Sequence, residues 1–351
     1  MSTTMKTNNE DAKWHLAEVS SPRIPNPVSV HVARNIPYVS NPNRFQNISI
    51  YTPHSLMSSI NTEEAITALP SIASSSKRPR WLIHIHGGAW RDPHLDSSSI
   101  EAAVAHAFAS DNPDAPLSAI ISINYTLSPF PTHPTLPYDP KKGDELDASR
   151  SARHPGHIKD VIQAFTLLRS LGLKDDSYLL SGHSAGACLA FQAALFDAQH
   201  WGSGFEGIPP PPRPAAALGL NGLYDIPDLV SGLGDSHQHL RDFYDILLVQ
   251  AFGEDQAAWP AASPARADVN VLTGRVTEGK VARLVLLDQS PEDQLVPMSQ
   301  ADRMERHLKE VQGIKVVRGH RCQGRHAAPW EEGYMIWQSV QDVLGMLDSE
   351  G

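Results

Sequence analysis

The run Gly182-His183-Ser184-Ala185-Gly186 follows the apolar triplet Tyr178-Leu179-Leu180 and precedes Cys188-Leu189-Ala190-Phe191-Gln192-Ala193-Ala194-Leu195. This is G-x-S-x-G set between a strand-like segment and a helix-like one. A sharp strand–turn–helix elbow of that pattern holds a serine on a strained backbone with its hydroxyl exposed above a sheet. Small residues flank the serine because the turn brings strand and helix backbones too close for larger side chains. The segment after it is rich in helix formers. Ser184 is therefore the candidate nucleophile.

A second motif lies about a hundred residues upstream, in Trp81-Leu82-Ile83-His84-Ile85-His86-Gly87-Gly88-Ala89-Trp90. An apolar strand ends in two glycines, which let backbone N–H groups turn toward a ligand. In acyl transfer such groups form an oxyanion hole, here Gly87 and Gly88, completed by the N–H of Ala185 after the nucleophile. Taken alone, the glycines also suit a plain strand-to-loop turn. Both motifs, in this order and each after an apolar strand, point to one active site.

The remaining pattern fits a sheet built around these strands. Segments 28–32 and 46–51 alternate and are β-branched, with turn residues Asn41-Pro42-Asn43 between them. Residues 81–85, 119–125, 177–180, 215–220, 281–287 and 314–317 read as strands. Residues 100–109, 157–171 and 331–347 read as helices. The proline-rich 128–134 and 209–214 cannot be regular, and 226–265 reads as a polar helical cap. Strands alternating with helices at this spacing predict an α/β fold whose mostly parallel sheet is covered on both faces. One domain over 1–351 is expected, with a polar N-terminal arm at 1–25 and a mobile loop insertion at 52–80.

Composition narrows the partners. The chain has 351 residues, 41% hydrophobic and 19% charged, with a formal net charge of -10. Acidity without a long Lys/Arg run argues against nucleic acid and against an anionic membrane as partner. No stretch approaches the roughly 20 apolar residues of a membrane span. The polar N-terminus has no apolar signal core, so a cytoplasmic home is expected. Cys188 and Cys322 cannot make a disulfide framework. They read as a packed residue of the elbow helix and a passive thiol. The sequons at Asn47 and Asn124 fall in predicted strands and are discounted. A small-molecule substrate is expected, and the sequence leaves open whether the chain pairs as a homodimer.

A serine nucleophile needs a base and a carboxylate that orients the base. Behind a G-x-S-x-G elbow these follow in the order acid, then histidine. Asp293, in Asp293-Gln294-Leu295-Val296-Pro297, is the candidate acid, with Asp288 and Glu292 as local rivals. His326 and His320 both lie between the last strand and the last helix. His326 is preferred because it stands nearer that helix and follows Gly324. His86 and His183 are read as loop braces. His84 and His86 share one strand face, but no further Cys/His/Asp cluster completes a metal site, so no metal and no cofactor is expected.

His86-Gly87-Gly88-Ala89-Trp90 with Asp92-Pro93 resembles the HGGxW signature of the kynurenine formamidases (arylformamidases), an α/β-hydrolase family. The resemblance extends through Tyr125 to Pro129, Gly182 to Gly186, Leu220 to Asp225, Asp293 and His326. It implies hydrolysis of N-formyl-L-kynurenine to L-kynurenine and formate, within tryptophan catabolism by the kynurenine pathway and NAD biosynthesis. It also implies Ser184, Asp293 and His326 as a triad working through a formyl-serine. A formyl group needs little acyl space, so Trp90 is a candidate wall, with core packing as the alternative. Tyr224, Phe130 and Tyr138 are candidate pocket residues by position. The triad equally suits a short-acyl carboxylesterase of the hormone-sensitive-lipase-like type. A non-catalytic binding module of the same fold is the reading from another class.

Overall fold

A computed structural model describes residues 13–59, 66–67, 69, 81–111 and 116–350. Its strands are β1 (His15–Val19), β2 (Val28–Pro37), β3 (Asn47–Pro53), β4 (Trp81–Ile85), β5 (Ala119–Ile123), β6 (Tyr178–His183), β7 (Ala216–Leu220), β8 (Leu284–Asp288) and β9 (Lys315–Arg318). They form one sheet in the order β1-β2-β3-β5-β4-β6-β7-β8-β9. The first three are antiparallel to their neighbours, and β5 through β9 run parallel.

The inner strands are short apolar runs, such as Ala119-Ile120-Ile121-Ser122-Ile123, buried along their whole length. Burial on both sides is what a parallel sheet between helices demands. Alternation assigns the faces. Ile83 and Ile85 join one apolar cluster with α2 (Gly156–Ser170) and α3 (Ala185–Leu195). Leu82 and Leu218 join the other, with α1 (Glu101–Phe108) and the last helix, Tyr334–Glu350.

Three expectations change. Residues 15–19, expected within a polar arm, pair with β2 as an edge strand; residues 1–12 lie outside the description. Residues 54–59 of the expected mobile loop form a 3₁₀ turn, and most of 60–80 lies outside the description. The closing helix is two, Ala328–Glu332 and Tyr334–Glu350. Gly333 divides them at φ +70°, and a Cβ there would stand 2.1 Å from the carbonyl carbon of Ala102. Close packing on α1 thus fixes a left-handed break that helical periodicity hides.

The helix Met298–Lys309, absent from the sequence reading, follows the β8 loop. No helix among the described residues is long and apolar enough to cross a membrane.

Candidate active site

The carboxyl ends of β4, β6, β7 and β8 converge, where open α/β sheets place their ligands. At the end of β6, Ser184 has φ 56° and ψ −123°, sparsely populated for any residue with a Cβ. The elbow is held by backbone bonds: the Ser184 N–H donates to Leu220 O at 3.0 Å, and Ala187 N–H donates to Ser184 O at 3.0 Å. Glycine is required on both sides. A Cβ on Gly182 would lie 2.2 Å from Gly186 O, and one on Gly186 would lie 2.1 Å from Ile85 O. The latter contact also joins the two motifs, since Ile85 ends the strand that feeds the glycine loop.

That loop comes up against the serine. A Cβ on Gly87 would be 3.2 Å from Ser184 Cβ and 3.0 Å from His183 Nδ1. Gly88, Ala89 and Trp90 follow at φ 92°, 51° and 57°, a left-handed run that turns successive peptide groups sharply. The N–H groups of Gly87, Gly88 and Ala185 donate to no group among the described residues. Tyr125 fixes the loop from below: its hydroxyl lies 3.1 Å from His86 O and 2.9 Å from Gly87 O. Its ring stacks on His86 at 4.6 Å. Tyr125 carries no site assignment in the sequence; its position at the end of the 119–125 strand is the available signal.

Asp293 and His326 meet. Asp293 Oδ2 accepts from His326 Nδ1–H at 2.7 Å, and the Asp293 side chain is fully buried. Leu295 and Val296 N–H groups donate to its other oxygen at 2.8 and 2.9 Å, and Gln289 Nε2 donates to Oδ2 at 3.1 Å. This set aims the Asp293 oxygen at one ring nitrogen, leaving His326 Nε2 as the acceptor. His326 is positioned through its own backbone. His326 O accepts from His183 Nε2–H at 2.9 Å and from Asn221 Nδ2 at 3.2 Å, and His326 N–H donates to Gln294 Oε1 at 2.9 Å. The His183 and His326 rings lie 4.8 Å apart, so His326 stands beside the residue preceding Ser184. No hydrogen bond links Ser184 Oγ to His326 among the described residues; such contacts tighten in the Michaelis complex.

The rivals are occupied elsewhere. Asp288 accepts from Arg321 N–H, Cys322 N–H and the Ser339 hydroxyl, stitching the loop after β9 to the last helix. Glu292 accepts from Gly324 N–H at 2.7 Å. His320 is exposed and lines a separate surface cavity of about 410 Å³ with Arg23 and Arg321. Asn221, not singled out as a site residue, ties both loops: Nδ2 donates to His326 O, and Oδ1 accepts from Ser290 N–H at 2.9 Å.

His84, His86 and His183 are neutral. Burial pushes His86 down to about 4 and His84 down to about 3. It also carries His183 well below the ordinary histidine range. His86 Nδ1 bonds Gly87 O, and His84 Nδ1 bonds Ser181 Oγ, both at 2.9 Å. No group of three or more metal-binding side chains occurs among the described residues. Cys188 and Cys322 are buried free thiols, pushed up by burial.

The pocket candidates separate. Trp90 is buried, edge-on to Phe252 at 5.0 Å. Tyr224 lies in the core: a Cβ on Gly219 would be 1.9 Å from its hydroxyl, and its ring is edge-on to Phe191. It is buried against Phe191 of the elbow helix. The Tyr138 hydroxyl is engaged by Ser151 Oγ at 2.7 Å. Phe130 is partly exposed and lies 4.0 Å from the Arg91 guanidinium. The segment 226–265 reaches the acid loop, as His237 Nε2–H donates to Asp293 O at 2.9 Å and Tyr244 Oη donates to Leu295 O at 2.8 Å.

A kynurenine formamidase of Aspergillus versicolor is 33% identical over 233 residues, 63% of this chain and 72% of that protein. A kynurenine formamidase-like hydrolase of Fusarium equiseti is 30% identical over 271 residues, 76% of this chain and 83% of that protein. The chain belongs to the kynurenine formamidase family. A kynurenine formamidase of Meyerozyma guilliermondii is 27% identical, covering 75% of this chain and 84% of that protein. No family model matches.

Solved structures place this formamidase-family chain in the α/β-hydrolase fold. Esterase B of Lactobacillus rhamnosis superposes with a TM-score of 0.58 at 13% identity, over 92% of this chain and 88% of that one. A carbohydrate esterase from gut microbiota gives 0.54 at 17% identity, over 91% and 95%.

Proposed function

We propose that the chain is a serine hydrolase that converts N-formyl-L-kynurenine to L-kynurenine and formate. The observation that carries this reading is the meeting of the two motifs: Gly87 lies against Ser184, and unbonded N–H groups flank the serine. The relatives named kynurenine formamidase support this choice of substrate.

In this mechanism His326 Nε2 takes the proton of Ser184 Oγ as the oxygen attacks the formyl carbon. The oxyanion is held by the N–H groups of Gly87, Gly88 and Ala185; one such donor is worth roughly 2.7–4 kcal/mol. Asp293 stabilises the imidazolium without taking its proton. The imidazolium then protonates the arylamine nitrogen, the C–N bond breaks and L-kynurenine leaves. Water, deprotonated by His326, attacks the formyl-serine; formate departs and the proton returns to Ser184 Oγ. The continuous sheet supports one domain performing all of this, with no cofactor in any step.

The test is kcat/KM for N-formyl-L-kynurenine against a short aryl acetate, with Ser184→Ala alongside. Preference for the formamide, abolished in the variant, is expected. Efficient ester cleavage with little formamide turnover would make the chain an esterase.

A further inference from the structure

Arg91, directly after the glycine loop, is the least satisfied charged group near the proposed site. It is 2% exposed, yet Nε and Nη1 are buried without a hydrogen-bond partner, and no acceptor of the described residues bonds the guanidinium. Its backbone is fixed, since Arg91 N–H donates to Gly88 O at 2.9 Å. The guanidinium carbon lies 4.0 Å from the Phe130 ring centroid and 5.2 Å from that of Phe243, on the helix Arg241–Phe252. Phe243 is 39% exposed, so the aromatic surroundings of the guanidinium reach solvent.

The neighbouring carboxylate does not serve it: Asp92 Oδ1 accepts from His94 N–H at 2.9 Å and lies 3.4 Å from His133 Nε2. Burial pulls the guanidinium down only to about 10, so it is charged at neutral pH. Aromatic faces offset part of the desolvation of a cation but satisfy none of its N–H donors. Buried donors are almost always bonded, and an arginine fork matches a carboxylate bidentately.

We propose that Arg91 takes the α-carboxylate of the substrate. This rests on the formamidase reading above. N-formyl-L-kynurenine carries its carboxylate on a short chain ortho to the formamide, so one molecule can span the step from the glycine loop to the arginine that follows it. The aromatic rings against the guanidinium would then exclude water from the ion pair and strengthen it. Arg91 binds and orients; it takes no part in proton transfer.

The experiment compares two formamides: N-formyl-L-kynurenine and N-(2-acetylphenyl)formamide, which keeps the aryl ketone and lacks the amino-acid group. Arg91→Met should raise KM for the first about 10–100-fold with kcat nearly unchanged, as expected when a charged hydrogen-bond partner is lost. Its kinetics on the second should match wild type, which also reports that the variant is folded. Arg91→Lys, keeping the charge without the fork, should fall between.

Equal losses on both substrates would make Arg91 a packing residue and overturn the proposal. If Arg91→Met does not fold, Arg91→Lys decides on the same pair of substrates: a KM change confined to N-formyl-L-kynurenine supports the proposal, and an equal change overturns it. Wild type that cleaves both formamides with equal kcat/KM also overturns it while leaving a formamidase. Wild type that cleaves neither, yet cleaves an aryl acetate, overturns the formamidase reading itself.

Discussion

The elbow at Ser184 and the segment 226–265 both touch the Asp293–His326 pair, but they are held by different forces. At the elbow, backbone presses on backbone: Gly182 on Gly186, and Gly186 on the end of β4. In the segment, side chains reach across to loop carbonyls, His237 to Asp293 and Tyr244 to Leu295. Contacts of the first kind admit only glycine and leave a motif. Contacts of the second kind can be made by many side chains and leave none.

The comparison predicts a hierarchy of effects. Ser184→Ala should lower kcat by about 10⁵-fold or more with the protein folded, read by steady-state kinetics. Asp293→Asn should lower it about 10⁴-fold, because the amide no longer selects the productive tautomer of His326. Asp288→Asn, whose partners are structural, should act on thermal stability instead. A variant pair with those effects exchanged would reassign the acid.

Gly186→Ala puts a methyl group 2.1 Å from Ile85 O and should destabilise by about 3 kcal/mol or more, measured by denaturant unfolding. Gly274→Ala, in the helix Val269–Thr277, meets nothing within 4 Å. It should stabilise by about 0.5–1 kcal/mol. Equal effects at the two glycines would remove the distinction drawn here.

Acid should act on the buried histidines around the strand ends and α2. His84 and His157 are pushed down to about 3 and His86 to about 4, all chiefly by burial. Each is neutral when folded and gains a proton near pH 6.5 when unfolded. Their contribution is therefore complete above pH 6.5 and is lost as pH falls toward 4, by up to about 1.4 kcal/mol per group per pH unit. Thermal unfolding should drop steeply between pH 6.5 and 4.5; a flat profile would contradict the burial of these rings.

The smallest effects belong to single hydroxyls. Tyr125→Phe, beneath the glycine loop, should lower kcat about tenfold, the scale of about 1.4 kcal/mol lost from loop positioning. Tyr244→Phe, in the cap segment, should cost about 1 kcal/mol of stability with kcat within a few-fold. If Tyr244→Phe impaired catalysis more than Tyr125→Phe, the cap would be as much a part of the machinery as the elbow.

The sequence by itself determined the strand–elbow–helix, the glycine loop and the parallel half of the sheet. Apolar runs at strand length and glycines at steric pinch points are local constraints written in residue type. It also marked Asp293 and His326 as candidates by their order along the chain and their places after β8 and β9. Only the tertiary structure decided that these two meet while Asp288 and His320 turn away. It alone set Asn221 as the tie between both loops, sent Tyr224 into the core and broke the closing helix at Gly333. Arg91 is the clearest case: nothing in its sequence neighbourhood distinguishes it from a surface arginine. Its burial against Phe130 and Phe243 arises from segments some forty and a hundred and fifty residues away. Long-range packing leaves no periodicity behind, so a charge stripped of partners becomes visible only once the chain has closed around it.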